Sequence, residues 1–277
     1  LGKGKSLLIG LVSGAFGGLV GLGGGVIMIP LMTRFYGLNQ HLAHGTSLAA
    51  LVFTGLSGAG TYYLNGTVDI GAAVLLAATA MFTASLGALF AHALPEWKLK
   101  AAFGVFLILV SGMLLLKPYY AQYSSTATGW AKVAILLASG VVSGFFAGLM
   151  GVGGGSIMVP AMVLLVGFSQ HLAQGTSLLA MVPAGASGAY THWRLGNVAT
   201  AIVPGLILGI IVGTYVGATL AHWLSEAALR VIFAAMLTWL GIRDIRKSRS
   251  MRQARSDRPA NPSCAPGTAC EVQKEPK

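Results

Sequence analysis

The sequence predicts an all-α polytopic membrane protein built from two homologous repeats, and three observations carry that fold class. Only 9% of the 277 residues are charged and 55% are hydrophobic, against about 25% charged in soluble domains; mean hydropathy is +0.75. A water-soluble enzyme is thereby excluded. Shifted by 130 positions, the chain also aligns with itself without a gap, and Gly10–Gly66 matches Gly140–Gly196 at 32 of 57 positions. Finally, each copy holds apolar stretches near the roughly 17–25 residues that a helix needs to cross a bilayer. The 39 glycines lie inside these runs with no G-X-Y period, as in membrane helices.

The elements follow in order. Residues 1–116 form repeat 1, 117–132 a polar linker, 133–245 repeat 2, and 246–277 a basic tail. Each repeat opens on an unusual segment, 6–36 or 136–166, followed by three ordinary spans: 46–64, 68–92 and 98–116, then 176–194, 198–222 and 228–242. In the unusual segment a glycine cluster (Gly21-Leu-Gly-Gly-Gly25, Gly151-Val-Gly-Gly-Gly155) breaks the helix. The piece after the first break, Val26–Tyr36, would be about 16 Å long at 1.5 Å per residue, half a membrane. Proline at its fifth position, Pro30 or Pro160, costs a helix bond that buried surroundings can offset. The segment is either a discontinuous spanning helix, which gives parallel repeats, or a re-entrant hairpin, which gives inverted ones.

Charge favours the hairpin. With the N-terminus and basic tail in the cytoplasm, the inverted arrangement puts six of the nine Lys/Arg of residues 1–242 inside (Lys3, Lys5, Arg34, Lys98, Lys100, Arg194) and Lys117, Lys132 and Arg230 outside. The parallel arrangement divides them five to four, a poorer fit to the positive-inside rule. The net charge of +11 therefore reads as topology and not as a nucleic-acid surface. The tail should be helical at first and disordered from Pro259 onward. The chain opens at Leu1, and its first apolar segment is read as part of the fold, not as a cleaved leader.

A glycine run that leads into a half-helix exposes unpaired N–H groups at the positive end of a helix dipole, which suits an anion. Matched discontinuous helices in two repeats are the sequence pointer to a transporter site. The candidate substrate-binding residues are Gly23, Gly24, Gly25 and Val26 with Gly153, Gly154, Gly155 and Ser156. Ser13, Gly14 and Gly18 read instead as close helix packing. A second repeated block, QHLAHGTS or QHLAQGTS, adds Thr46, Ser47, Thr176 and Ser177, whose hydroxyls either cap a helix start or hold an oxyanion. His41 and His171 are the candidates for proton coupling. The span ends carry Tyr62-Tyr63 and His192-Trp193-Arg194. They read as an interfacial belt, with Arg194 as a further candidate for the anion. Asp69 is a first-turn acid.

No HExxH or carboxylate cluster appears, so no metal is expected. Cys264 and Cys270 both lie in the tail, so the membrane part offers no thiolate-bound cofactor or disulfide. No cofactor is expected, and a membrane-embedded enzyme lacks a catalytic set.

SGAFGGLVGLGGGVIMIP and SGFFAGLMGVGGGSIMVP, each followed by GTS and then by Gly66 or Gly196, resemble the TauE/SafE family of membrane proteins over roughly residues 6–245. That family is linked to export of sulfite and organosulfonates. The resemblance implies a secondary transporter of the inner membrane that moves a small sulfur-containing anion by alternating access. An anion channel, or a permease for another small anion, is the alternative. The expected partners are that anion, the lipid bilayer and a coupling ion (proton or sodium). A homodimer stays open, and nucleic acid is excluded.

Overall fold

The computed structural model describes residues 3–90, 96–120, 127–151 and 153–256, and regular structure among them is helical throughout. The helices are α1 (Lys3–Val20), α2 (Gly25–Tyr36), α3 (Gln40–Leu64), α4 (Ile70–Phe90), α5 (Glu96–Tyr120), α6 (Gly129–Met150), α7 (Gly155–Ala161), α8 (Gln170–Arg194), α9 (Val203–Trp223) and α10 (Glu226–Ser256). A π-helical turn, Met162–Val166, extends α7. α3, α4, α6, α9 and residues 100–117 of α5 are long and apolar enough to cross a membrane. α8 is as long as α3 but buries Gln170, Gln174, Thr176, Ser177 and His192.

Helix packing exchanges partners between the copies. α1 lies parallel to α9: positions 10, 14 and 18 sit in turn on the backbones of Leu206, Ile210 and Thr214, while Gly209, Gly213 and Gly217 answer on Leu7, Leu11 and Ala15. α6 lies on α4 in the same way, with Gly140, Gly144 and Gly148 on Leu76, Ala80 and Ala84. Glycine at every fourth position lets the backbones touch, which is how helices associate where lipid supplies no hydrophobic drive. α3 and α8 are equivalent under the 130-residue shift and run antiparallel, since Gly58 meets Leu178 and Gly188 meets Leu48. α5 and α10 are also antiparallel: Gly104 meets Gly241, and the Ser111 hydroxyl donates to Ala234 O at 2.7 Å. Large apolar side chains such as Leu8, Phe82, Leu109 and Leu208 point outward, the inverse of a soluble surface.

Short connections then define two faces. The first holds the starts of α1, α3, α5 and α9 and the ends of α4, α8 and α10; the second holds the opposite ends of α3 to α5 and α8 to α10 and the start of α6.

Three details depart from the sequence reading and one agrees with it. α3 and α8 begin six residues early, because the Asn39 and Ser169 side chains accept from Leu42 N and Leu172 N, leaving the GTS residues in the second turn and not at the cap. The presumed linker is partly helical at both ends, since α5 runs to Tyr120 and α6 starts at Gly129. α10 continues beyond the apolar span to Ser256, so the tail starts as helix, as the sequence predicts; Cys264, Cys270 and the rest of the tail lie outside the described residues. Proline acts differently in the two copies, for α2 passes Pro30 intact to Tyr36 whereas the helix after Pro160 widens to the π turn.

Candidate functional site

Both glycine clusters form hairpin tips. α1 ends where Gly21 N donates to Gly17 O at 2.9 Å, and α2 then turns back along α1, so that Gly24 lies on the carbonyl of Ser13. The second tip repeats this, with Gly151 N donating to Ala147 O at 2.8 Å and Gly154 lying on Ser143. The tips meet: Gly153 faces Leu22 O, and Gly155 packs on Gly21 and Leu22. Leu51 and Met181 flank both Gly23 and Gly153.

The repeated GTS block fixes this junction crosswise. Ser47 Oγ donates to Gly151 O at 2.8 Å, and Ser177 Oγ donates to Gly21 O at 3.0 Å. Thr46 accepts from Ala199 N at 2.9 Å and Thr176 from Asp69 N at 3.0 Å. Each copy therefore holds the tip and the connecting loop of the other. All four hydroxyls serve protein backbone, so they position the tips. Asp69 immediately precedes α4, accepts from Ala72 N at 2.9 Å and pairs with Lys132 at 3.3 Å. Partial burial raises its carboxyl pKa, but the amide bond and the ammonium outweigh this and hold it below the usual range.

At tip one, none of the N–H groups from Leu22 to Val26 has a backbone acceptor among the described residues, whereas Ile27 and Met28 both donate to Gly24 O. Beside tip two lies a cavity of about 10 Å³ lined by Gly153, Gly154, Leu51, Met158, Met181 and neighbours. That is room for about one water molecule, so a sulfur oxyanion needs the tips to part.

The remaining sequence candidates lie apart from this junction. Arg194 is the exposed last residue of α8; His192, two residues before it, is the side chain that reaches the break, with Nε2 3.2 Å from Gly148 O. His171 Nε2 lies 3.0 Å from Ala221 O, and His41 is half-buried near the start of α3. The interfacial-belt reading fits Tyr63 and Trp193, which are exposed, but not Tyr62 or His192, which are fully buried. Tyr62 OH lies 3.1 Å from Gly18 O and 3.0 Å from Gln174 Oε1, and the Tyr62 ring lies 4.6 Å from that of His222, tilted by 56°. The sequence signal for this pair was the Tyr/His exchange at matched positions of otherwise similar copies. Arg243 was also missed: its Nη1 donates to Val26 O at 3.0 Å in the first turn of α2, and it pairs with buried Asp244 at 3.2 Å. It follows directly on an apolar span and so looked like a topogenic charge.

Comparison with known proteins agrees with this architecture. The sequence pattern of the family described as sulfite exporter TauE/SafE matches residues 6–243. The chain belongs to the TauE/SafE family. Among its TauE/SafE-like relatives, the probable membrane transporter protein YunE of Bacillus subtilis is 28% identical over 85% of this chain and 94% of its own length. YjnA of the same organism, also a probable membrane transporter protein, is 27% identical over 86% and 97%. A probable membrane transporter protein of Xylella fastidiosa strain 9a5c is 31% identical over 76% and 82%. No solved structure matches the chain. This TauE/SafE chain is an integral membrane protein of the transporter class.

Proposed function

We propose that the chain is a secondary transporter, not an enzyme, that exports a small sulfur-containing anion such as sulfite or an organosulfonate across the bacterial inner membrane. The observation that carries this reading is the meeting of two glycine breaks, one from each copy, with the N–H groups of Leu22–Val26 left without backbone acceptors among the described residues. Unpaired amides at a half-helix start attract an oxyanion without needing a metal or cofactor. Gly23–Val26 and Gly153–Ser156 are its backbone ligands, Ser47 and Ser177 hold the tips, Thr46 and Thr176 hold the connecting loops, and Arg243 fixes the first turn of α2 through Val26 O. Arg194 is left as a charge at the first face.

The repeats are inverted. Supporting this are the antiparallel α3/α8 and α5/α10 pairs and the fold-back of α2 on α1. The first face, which carries Lys3, Lys5, Arg34, Lys98, Lys100, Arg194 and the basic end of α10, is cytoplasmic by the positive-inside rule. Transport is by alternating access, the tips parting toward one face at a time. Proton coupling runs through His171, whose ring is 5.5 Å from His222, and through His41 on the first face.

The test is counterflow of labelled sulfite and sulfoacetate in proteoliposomes, with and without a pH gradient. Saturable counterflow of either anion supports the carrier, and its loss of pH dependence in His171→Ala supports the proton route. Single-channel currents without saturation would replace the carrier by a pore. No movement of either anion in folded protein would overturn the substrate class.

A further inference from the structure

Two basic side chains of the second face meet at the turn Gly167–Ser169, between the π-helical end of α7 and the start of α8, and a third, Arg230, is linked through Glu226 to the first amide of α8. Lys117 Nζ reaches Phe168 O at 3.5 Å, and Lys132 Nζ stands 4.9 Å over the Phe168 ring. Arg230 lies 4.0 Å from one carboxylate oxygen of Glu226, whose other oxygen accepts from Gln170 N, the first amide of α8, at 3.2 Å. Asp69 neutralises Lys132, which leaves Lys117 and Arg230 against Glu226 alone.

Beside this cluster Gln170 is fully buried, and among the described residues neither atom of its side-chain amide has a partner; Arg230 Nε is buried and unpartnered among them as well. The equivalent residues of the first copy are Gln40 and Lys100, which bond directly at 3.2 Å. In the second copy Gln170 and Arg230 make no such bond, and the Glu226 carboxylate sits on the first amide of α8. Gln174, one turn on and on the same helix face, is also fully buried with Nε2 unpartnered, and it packs directly on Gly21 of tip one. Buried amides without partners are costly, and these two stand in line between the basic cluster and the glycine break.

We propose that the cluster is an anion-binding vestibule on the second face, in which the Glu226 carboxylate holds the place of a small oxyanion. An anion leaving tip one passes along Gln174, displaces Glu226, and is held by Arg230, Lys117 and the Gln170 amide before release at the second face. This rests on the transport reading above. An anionic lipid headgroup offers the same chemistry; the full burial of Gln170 favours a small free anion.

The experiment titrates sulfite calorimetrically into the full chain in nanodiscs of phosphatidylcholine alone, and measures counterflow from vesicles with the second face outward. Arg230→Gln is expected to weaken binding about tenfold, the scale of a lost charge-assisted hydrogen bond, and to raise the half-saturation concentration with maximal rate kept. Glu226→Gln is expected to tighten binding several-fold, the opposite sign from a purely structural ion pair. Lys117→Gln repeats the Arg230 test at a separate helix should Arg230→Gln not fold. Unchanged or weaker sulfite binding in Glu226→Gln overturns the vestibule, as does an effect of these substitutions only when phosphatidylglycerol is included. Sulfite binding that depends on Arg230 without any counterflow would sink the transport reading and leave the vestibule. Counterflow untouched by all three substitutions would do the reverse.

Discussion

The two hairpin tips come from nearly the same sequence and are not the same structure. Gly24 caps α2 with φ 76°, a left-handed conformation, and any Cβ there would collide with the Ser13 carbonyl. Gly154, its equivalent, has φ −77°, and its nearest neighbours to a Cβ are side-chain atoms of Met158 and Ser143 at 3.2 Å. Tip one is closed by Tyr62 and Gln174, tip two by His192. The cavity lies against tip two. Duplication thus supplies two matched breaks, while a few substitutions leave more room at Gly154 than at Gly24.

The sharpest break in this comparison is a pair of alanines. Gly24→Ala combines left-handed strain, roughly 1–2 kcal/mol, with a backbone collision, and should destabilise the protein by more than about 3 kcal/mol. Gly154→Ala should stay within about 1 kcal/mol while weakening counterflow. Thermal unfolding in detergent, followed by transport, measures both; equal losses would erase the distinction between the tips.

Next comes Tyr62→Phe, which strips the hydroxyl from Gly18 O and Gln174 Oε1 and should cost about 1–3 kcal/mol. His192→Tyr instead gives tip two the chemistry of tip one, and should retain the fold while altering the pH profile of transport. An unchanged profile would make His192 a packing residue. Smaller still are Ser47→Ala and Ser177→Ala, each expected to cost about 1 kcal/mol by freeing one tip carbonyl. Similar losses in the two would support crosswise pinning, while a loss confined to one would limit it to that tip.

The smallest effect is acid-side. The Asp69 carboxyl is held below its unfolded value of about 3.9, chiefly against burial, by Ala72 N and Lys132. Its contribution is therefore complete above pH 4 and is lost as pH falls through the lower folded value. The matching residue of the second copy is Ala199. Asp69→Ala should flatten stability on the acid side, by denaturation midpoints between pH 5 and 3, without affecting transport at neutral pH.

Much of this was legible beforehand. Triple glycines followed by half a membrane of apolar sequence cannot continue a helix, and Ser13, Gly14 and Gly18 read as packing residues, of which Gly14 and Gly18 lie on α9. What escaped notice was direction. A buried Tyr62 and an exposed Tyr63 look alike in sequence, since both sit at the end of one apolar span. Thr46 and Ser47 looked like a cap because nothing local reveals that Asn39 already closes the helix and that Gly151, 104 residues away, takes the Ser47 hydroxyl.

The sequence by itself determined the lipid solvent, the duplication and the positions of the two breaks, because composition, self-similarity and glycine runs are properties of the chain alone. Only the tertiary structure decided that the hairpins fold back, that their tips touch, and that each copy's serines hold the other's glycines. Those facts depend on which helices run antiparallel, and contacts between residues more than a hundred positions apart set that.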